Sequence, residues 1–209
     1  MLVSYELPAP DLVTHEITIK RSRFITWITR AESEEEAREV IAKAKTTYPD
    51  ARHHCSAFIL HGQNPVERSS DDSEPSGTAG KPMLDVLRGS GMQNIVAVVI
   101  RYFGGIKLGA GGLVHAYSGA VSETLEHVAR VEKRLRHLVA VDLPHAEAGR
   151  IEADLRTSGI DVVDVQYGAA ATYTLGLDPG GLESLNELLA ALTQGTAEAV
   201  EAGETWVER

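Results

Sequence analysis

The run Ile95–Phe103 (IVAVVIRYF) is apolar at nearly every position, with Arg101 as its one charge. A half-buried strand alternates apolar and polar residues. An unbroken apolar run therefore predicts a central strand covered on both faces. Gly104-Gly105 ends it, and a long helix is expected from about Gly111 to Val131. Leu113, Tyr117, Ala120, Val121, Thr124, Leu125 and Val128 recur along it at helical spacing.

The segments upstream supply the layers that such a strand needs. Val13–Ile19 and Phe24–Ile28 alternate and flank the basic turn Lys20-Arg21-Ser22-Arg23, which predicts a hairpin. Ser33 and Glu36 form a capping box, and Ala37, Val40, Ile41 and Ala44 share one helical face. Pro49-Asp50 stops that helix, and Cys55–Leu60 is a third strand. Gly62–Gly77 is polar and unusually long for a connection inside a compact domain, as functional loops often are. A short helix over about Ala79–Arg88 tolerates Pro82 in its first turn.

Beyond Lys133 the order changes. Leu135–Leu143 reads as a strand and Ala146–Thr157 as a helix. Ile160–Tyr167 and Ala171–Leu177 are strands, and Asp178-Pro179 opens a second helix with Leu182, Leu185, Leu188, Leu189 and Leu192 on one side. Thr196–Val207 closes the series. The order β-α-β-β-α-β is that of the ferredoxin-like split motif. The expected fold is α+β with two domains, 1–133 and 134–209. Charge divides at the same place: 15 Lys and Arg face 17 Asp and Glu before it, and 5 face 13 after it.

Those balances restrict function. A net charge of −10 gives little general attraction to phosphate backbones, so any nucleic-acid contact is a local patch in the first domain. Aromatic residues do not alternate with basic ones, so the single-strand stacking signature is absent, and nothing is specific to DNA. No apolar run approaches the roughly 20 residues of a membrane span, and the N-terminus lacks a secretion signal. Cys55 is the only cysteine, which excludes an internal disulfide. A cytoplasmic protein without membrane contact is expected.

Three stretches carry reactive side chains. In Arg101–Gly112 a strand feeds a glycine-rich helix start, where unpaired N–H groups and a partial positive charge make an anion site. Gly109, Gly111 and Gly112 supply the backbone approach, and Arg101 and Lys107 add charge. The spacing fits neither a Walker A loop nor a dinucleotide fingerprint. The alternative is a plain turn followed by close packing. Asp71–Lys81 places Ser76, Thr78 and Lys81 for the same anion, with Asp72 and Glu74 beside them. The alternative there is a solvated loop in which Ser76 or Thr78 caps the next helix. His53-His54-Cys55 sends His53 and Cys55 to one strand face. Zinc needs further ligands, and two carboxylates do not define a cation site, so no metal and no cofactor is expected. His115 and Ser118 sit near the start of the long helix. No catalytic residue is assigned.

Several blocks carry a resemblance. They are Lys20–Phe24, His53–Cys55, Glu74–Pro82 (EPSGTAGKP) and Arg101–Leu113 (RYFGGIKLGAGGL), followed by Ala116-Tyr117. With these the chain resembles the YigZ/IMPACT family over nearly all of its first domain. The resemblance implies a β-α first domain like domain IV of elongation factor G and the GHMP kinases, and a second domain like domain V of elongation factor G. It implies a non-enzymatic, translation-associated regulatory protein whose first domain contacts RNA, the ribosome or a translation-related protein. Lys20, Arg21, Arg23, Arg101 and Lys107 are the basic residues available for this. An enzyme or binder of a small phosphate-bearing ligand on the same glycine-rich face is the alternative, and an adaptor working through the acidic second domain is a third. The family usually has Asp-Gly-Glu-Pro where this chain has Asp72-Ser73-Glu74-Pro75, so a positive φ at that position would fall on a serine.

Overall fold

The computed structural model describes residues 4–208. The chain forms two compact units, one of Tyr5–Glu132 and one that runs from Lys133 onward and includes Ser4.

In chain order the first part contains β1 (Ser4–Pro8), β2 (Val13–Ile19), β3 (Ser22–Arg30), α1 (Glu34–Thr47), β4 (His53–Leu60), β5 (Val66–Ser70), α2 (Gly80–Ser90), β6 (Ile95–Tyr102) and α3 (Gly109–Leu125). Strands β2 to β6 form an antiparallel sheet in the order β2-β3-β6-β4-β5. The apolar run is its central strand. Ile95, Ala97 and Val99 pack with Met83 and Leu87 of α2 and Leu113 and Tyr117 of α3. Val96, Val98 and Ile100 pack with Ala37 and Ala44 of α1. All six strand residues are fully buried, and each Val or Ile so placed is worth about 1.5–3 kcal/mol. At α1, Ser33 accepts from the Glu36 N–H as the capping box predicts.

Two expectations are corrected in this unit. The long polar connection contains β5, paired with β4 from Ser56↔Ser70 to Leu60↔Val66. This strand is at the sheet edge and largely solvent-exposed, so its sequence, VERSS, shows no apolar alternation. The long helix begins at Gly109 rather than Gly111 and ends at Leu125 rather than Val131. A turn closed by His127 N–H to Thr124 O and Val128 N–H to Leu125 O buries Val128 outside the helix.

The second part contains β7 (Arg130–Leu143), α4 (His145–Thr157), β8 (Asp161–Tyr167), β9 (Ala171–Leu177), α5 (Leu182–Thr193) and β10 (Val200–Glu208). Its strands lie in the order β10-β7-β9-β8, antiparallel throughout, which is compatible with the ferredoxin-like reading. Val139, Val141, Leu143, Ile151, Leu155, Tyr173, Leu175 and Leu189 form its core. Asp178 does not cap α5: that helix starts at Leu182 after Gly181, and Asp178 instead pairs with the buried Arg136. The last strand starts at Val200 rather than Thr196. Thr193 and Asn186 hold Thr196, Ala197 and Ala199 in a turn before it. Among the described residues, no helix is long and apolar enough to cross a membrane.

Candidate functional site

β6 carries Arg101 to the end of the apolar run, where the residue is 5 % exposed. A guanidinium so placed must find partners. Its Nη1 donates to Glu74 Oε1 at 2.6 Å and its Nη2 to Ser22 Oγ at 3.3 Å. It also lies 5.4 Å from the Phe24 ring centroid and 5.7 Å from that of Phe103. Tyr117 OH donates to the same Glu74 oxygen at 2.8 Å. His53 stands opposite Arg101 in the β4–β6 register, with Nε2 3.8 Å from Glu74 Oε1 and Nδ1 2.9 Å from Asp72 O.

Glu74 is delivered by a loop organised on Asp71. The Asp71 carboxylate accepts the N–H groups of Gly77 (2.8 Å), Ala79 (3.0 Å) and Gly80 (2.8 Å). It thereby serves the start of α2, the role expected of Ser76 or Thr78. Thr78 instead donates to Pro75 O at 2.6 Å. Burial opposes ionisation of Asp71, but the three N–H donors outweigh it and hold the carboxyl below its usual range. Burial likewise opposes ionisation of Asp72, and the His54 N–H and Lys45 outweigh it in the same direction.

The loop turns through Asp72 at φ +40° and Ser73 at φ +72°. The serine thus occupies the left-handed conformation that glycine adopts without penalty. Replacing Ser73 with Gly is expected to stabilise the first unit by up to about 1 kcal/mol, since relief of the left-handed penalty is partly offset by greater unfolded-chain entropy. Urea denaturation followed by circular dichroism measures it. A fall in the midpoint would mean that the serine side chain holds the turn.

A cavity of about 410 Å³ opens over these groups. Arg101, Glu74 and His53 line it, together with Phe103, Lys107, Arg52 and the start of α3 at Leu108, Gly109 and Ala110. α3 has no side-chain cap, so its first N–H groups remain for a ligand. Phe103 is 46 % exposed, and Lys107 and Arg52 are exposed. Beside the cavity wall, the Lys20-Arg21 turn adopts positive φ at both residues. Gly104 lies against the Arg21 backbone and donates its N–H to Ser22 Oγ at 3.2 Å. A larger cavity of about 490 Å³ in the second unit is lined by Asp178, Glu201 and Glu204, with His137 as the basic group, and is poorly suited to an anion.

Of the residues marked in the sequence, Arg101, Lys107, Gly109, His53 and Glu74 come together around one cavity. Gly111 and Gly112 lie in the first turns of α3 but do not line it. Ser76 is exposed, Thr78 is buried on its own loop, and Lys81 pairs with Asp85 along α2 at 3.1 Å. His115 and Ser118 do not line the cavity either. Cys55 is fully buried and its thiol donates to Asp71 O at 3.1 Å. Burial, reinforced by Glu74, Asp72 and Asp71, pushes that thiol up to about 12 against a lowering contribution from Tyr117. It therefore stays protonated at neutral pH, unlike a nucleophile. Asp72 is spent on His54 and Lys45. Among the described residues, no three His, Cys, Asp or Glu side chains are grouped to hold a metal ion.

Sequence reading missed Arg52 and Phe103. Phe103 looked like the last buried residue of the strand. The signal was Gly104-Gly105 directly after it, since a strand broken there exposes its final side chain.

The Impact N-terminal domain matches residues 20–125, and a domain of unknown function (DUF1949) matches residues 141–196. The IMPACT family member YvyE of Bacillus subtilis is 38 % identical over the whole chain and 96 % of its own length. The IMPACT family member YigZ of Escherichia coli is 35 % identical, over 92 % of this chain and 95 % of its own. A solved structure of a hypothetical protein aligns with a TM-score of 0.63 at 34 % identity, covering 97 % of this chain and 98 % of that one.

Proposed function

From the premise that this chain belongs to the IMPACT family, we propose that its first unit binds RNA, free or on the ribosome, as a non-enzymatic translation-associated protein of the cytoplasm. One observation carries the reading: Lys107, Arg52 and the uncapped start of α3 converge on a cavity edged by the exposed Phe103. Cations and helix N–H groups take phosphate, and an exposed aromatic ring offers a base a stacking surface. Lys20 and Arg21 extend the basic rim. The local patch also answers the charge problem, because a chain of net charge −10 cannot rely on its overall field. Cys55 stays a thiol, and Arg101 balances the Glu74 charge through one carboxylate oxygen. That favours binding over catalysis.

Fluorescence anisotropy with single-stranded RNA across a salt series tests this, alongside ribosome pelleting. Affinity should fall with salt, with a log–log slope of about −0.7 for each phosphate contacted. Lys107→Glu should weaken binding and flatten that slope by about one contact. No binding at the lowest salt, to RNA or ribosomes, overturns the reading. The cavity's concavity and size favour a second reading, a small phosphate-bearing ligand. Thermal-shift screening separates the two, since ligand at about 100 times its Kd stabilises the folded state by about 2.7 kcal/mol.

A further inference from the structure

Resting on the RNA reading, we infer that the cavity takes one ribonucleotide unit and distinguishes RNA from DNA by a hydrogen bond that the ribose 2′-hydroxyl donates to Glu74. The buried ion pair leaves polar atoms unused. Both hydrogen bonds to Glu74 end on Oε1, from Arg101 Nη1 and Tyr117 OH. Oε2 accepts none among the described residues. Arg101, 5 % exposed and lining the same cavity, has a buried Nε–H with no acceptor among the described residues. A buried donor left unpaired is costly and rare in a folded protein. Two residues that line the cavity thus keep unused polar atoms, an acceptor on Glu74 and a buried donor on Arg101, with the uncapped start of α3 and Lys107 beside them.

That combination selects a ligand with two kinds of group. A phosphate satisfies Lys107 and the helix N–H groups, but Glu74 repels it. A hydroxyl suits Glu74, because it donates to the carboxylate and its oxygen can accept from a nearby N–H. The ribose of RNA carries such a hydroxyl one sugar away from a phosphate, and deoxyribose does not. The cavity volume of about 410 Å³ is of the order of one nucleotide, and Phe103 at its edge accepts the base face. His53, hydrogen-bonded through Nδ1 to Asp72 O, fixes the wall next to Glu74.

The experiment varies the ligand, so it does not depend on a Glu74 variant folding. Anisotropy at one low salt concentration compares matched single-stranded oligonucleotides with 2′-hydroxyl, 2′-deoxy, 2′-fluoro and 2′-O-methyl sugars. The hydroxyl form should bind about tenfold tighter than each of the other three, the worth of one charge-assisted hydrogen bond. The 2′-fluoro arm is the sharpest, because fluorine keeps an RNA-like sugar but cannot donate a proton. Equal affinity for 2′-hydroxyl and 2′-fluoro strands overturns the inference while leaving RNA binding intact. Absence of binding to any strand overturns the RNA reading itself. Ala110→Trp, at an exposed cavity position on the first turn of α3, localises the effect. It should abolish the preference, and a preference that survives it also overturns the inference.

Discussion

Glu74→Ala should destabilise the first unit by about 3–5 kcal/mol, the cost of leaving a buried charge without its partner. Arg101 and Glu74 are both buried, and the 2.6 Å bond between them is what balances the guanidinium near the end of the central strand. Removing the carboxylate also strands Tyr117 OH, a fully buried phenol on α3 whose ionisation is opposed first by its own burial. The loss therefore propagates from the Asp71–Gly77 loop to β6 and α3. Arg101→Met on the Glu74→Ala background should recover much of the loss, because an apolar side chain of similar length replaces the unpaired charge. Urea denaturation of the wild type, both single variants and the double variant measures it. A Glu74→Ala loss under about 1 kcal/mol would show that water reaches the pair freely.

Gly104→Ala should be at least as damaging, with a loss of about 3 kcal/mol or more. A Cβ there overlaps the carbonyl carbon and oxygen of Arg21 and crowds the Ser22 nitrogen at 2.5 Å. These are backbone atoms of the tight β2–β3 turn, so no side chain can rotate away, and relief requires moving one strand connection off the other. The Gly104 N–H bond to Ser22 Oγ would break with it, taking a support from Arg101. Gly105→Ala is the control. Gly105 has φ +85° but open space around its Cβ position, so that substitution should cost only the left-handed penalty of about 1–2 kcal/mol. Thermal unfolding of the two variants compares them, and equal shifts would mean that the Arg21 approach does not constrain the loop.

Features set by neighbours along the chain are legible in the sequence, and those set by distant partners are not. The β6 run, the Ser33–Glu36 cap and the leucine face of α5 are short-range patterns that burial enforces, and they lie where they were expected. β5 was illegible because an exposed edge strand needs no apolar face, and its pairing comes from β4. The end of α3 was misplaced because the helical period continues through Val128 after the chain has turned. Asp178 has a side chain suited to a helix cap, yet the distant Arg136 pairs with it. The same competition separated the marked site residues. Ser76, Thr78 and Lys81 are close to Glu74 in sequence, but the Asp71 cap turns them away from the cavity.

The sequence by itself determined the family, the central strand and the glycine-rich start of α3. Those rest on apolar runs, backbone freedom at glycine and motif blocks such as Arg101–Leu113, all readable along the chain. Only the tertiary structure decided that Arg101 and Glu74 pair, that Cys55 is a sealed thiol, and that Arg52 and Phe103 line the same cavity. Each depends on which side chains meet across strands far apart in the chain and how much water is left between them. Burial and pairing, rather than residue type, set whether a charged or nucleophilic group supports the fold or remains available to a partner.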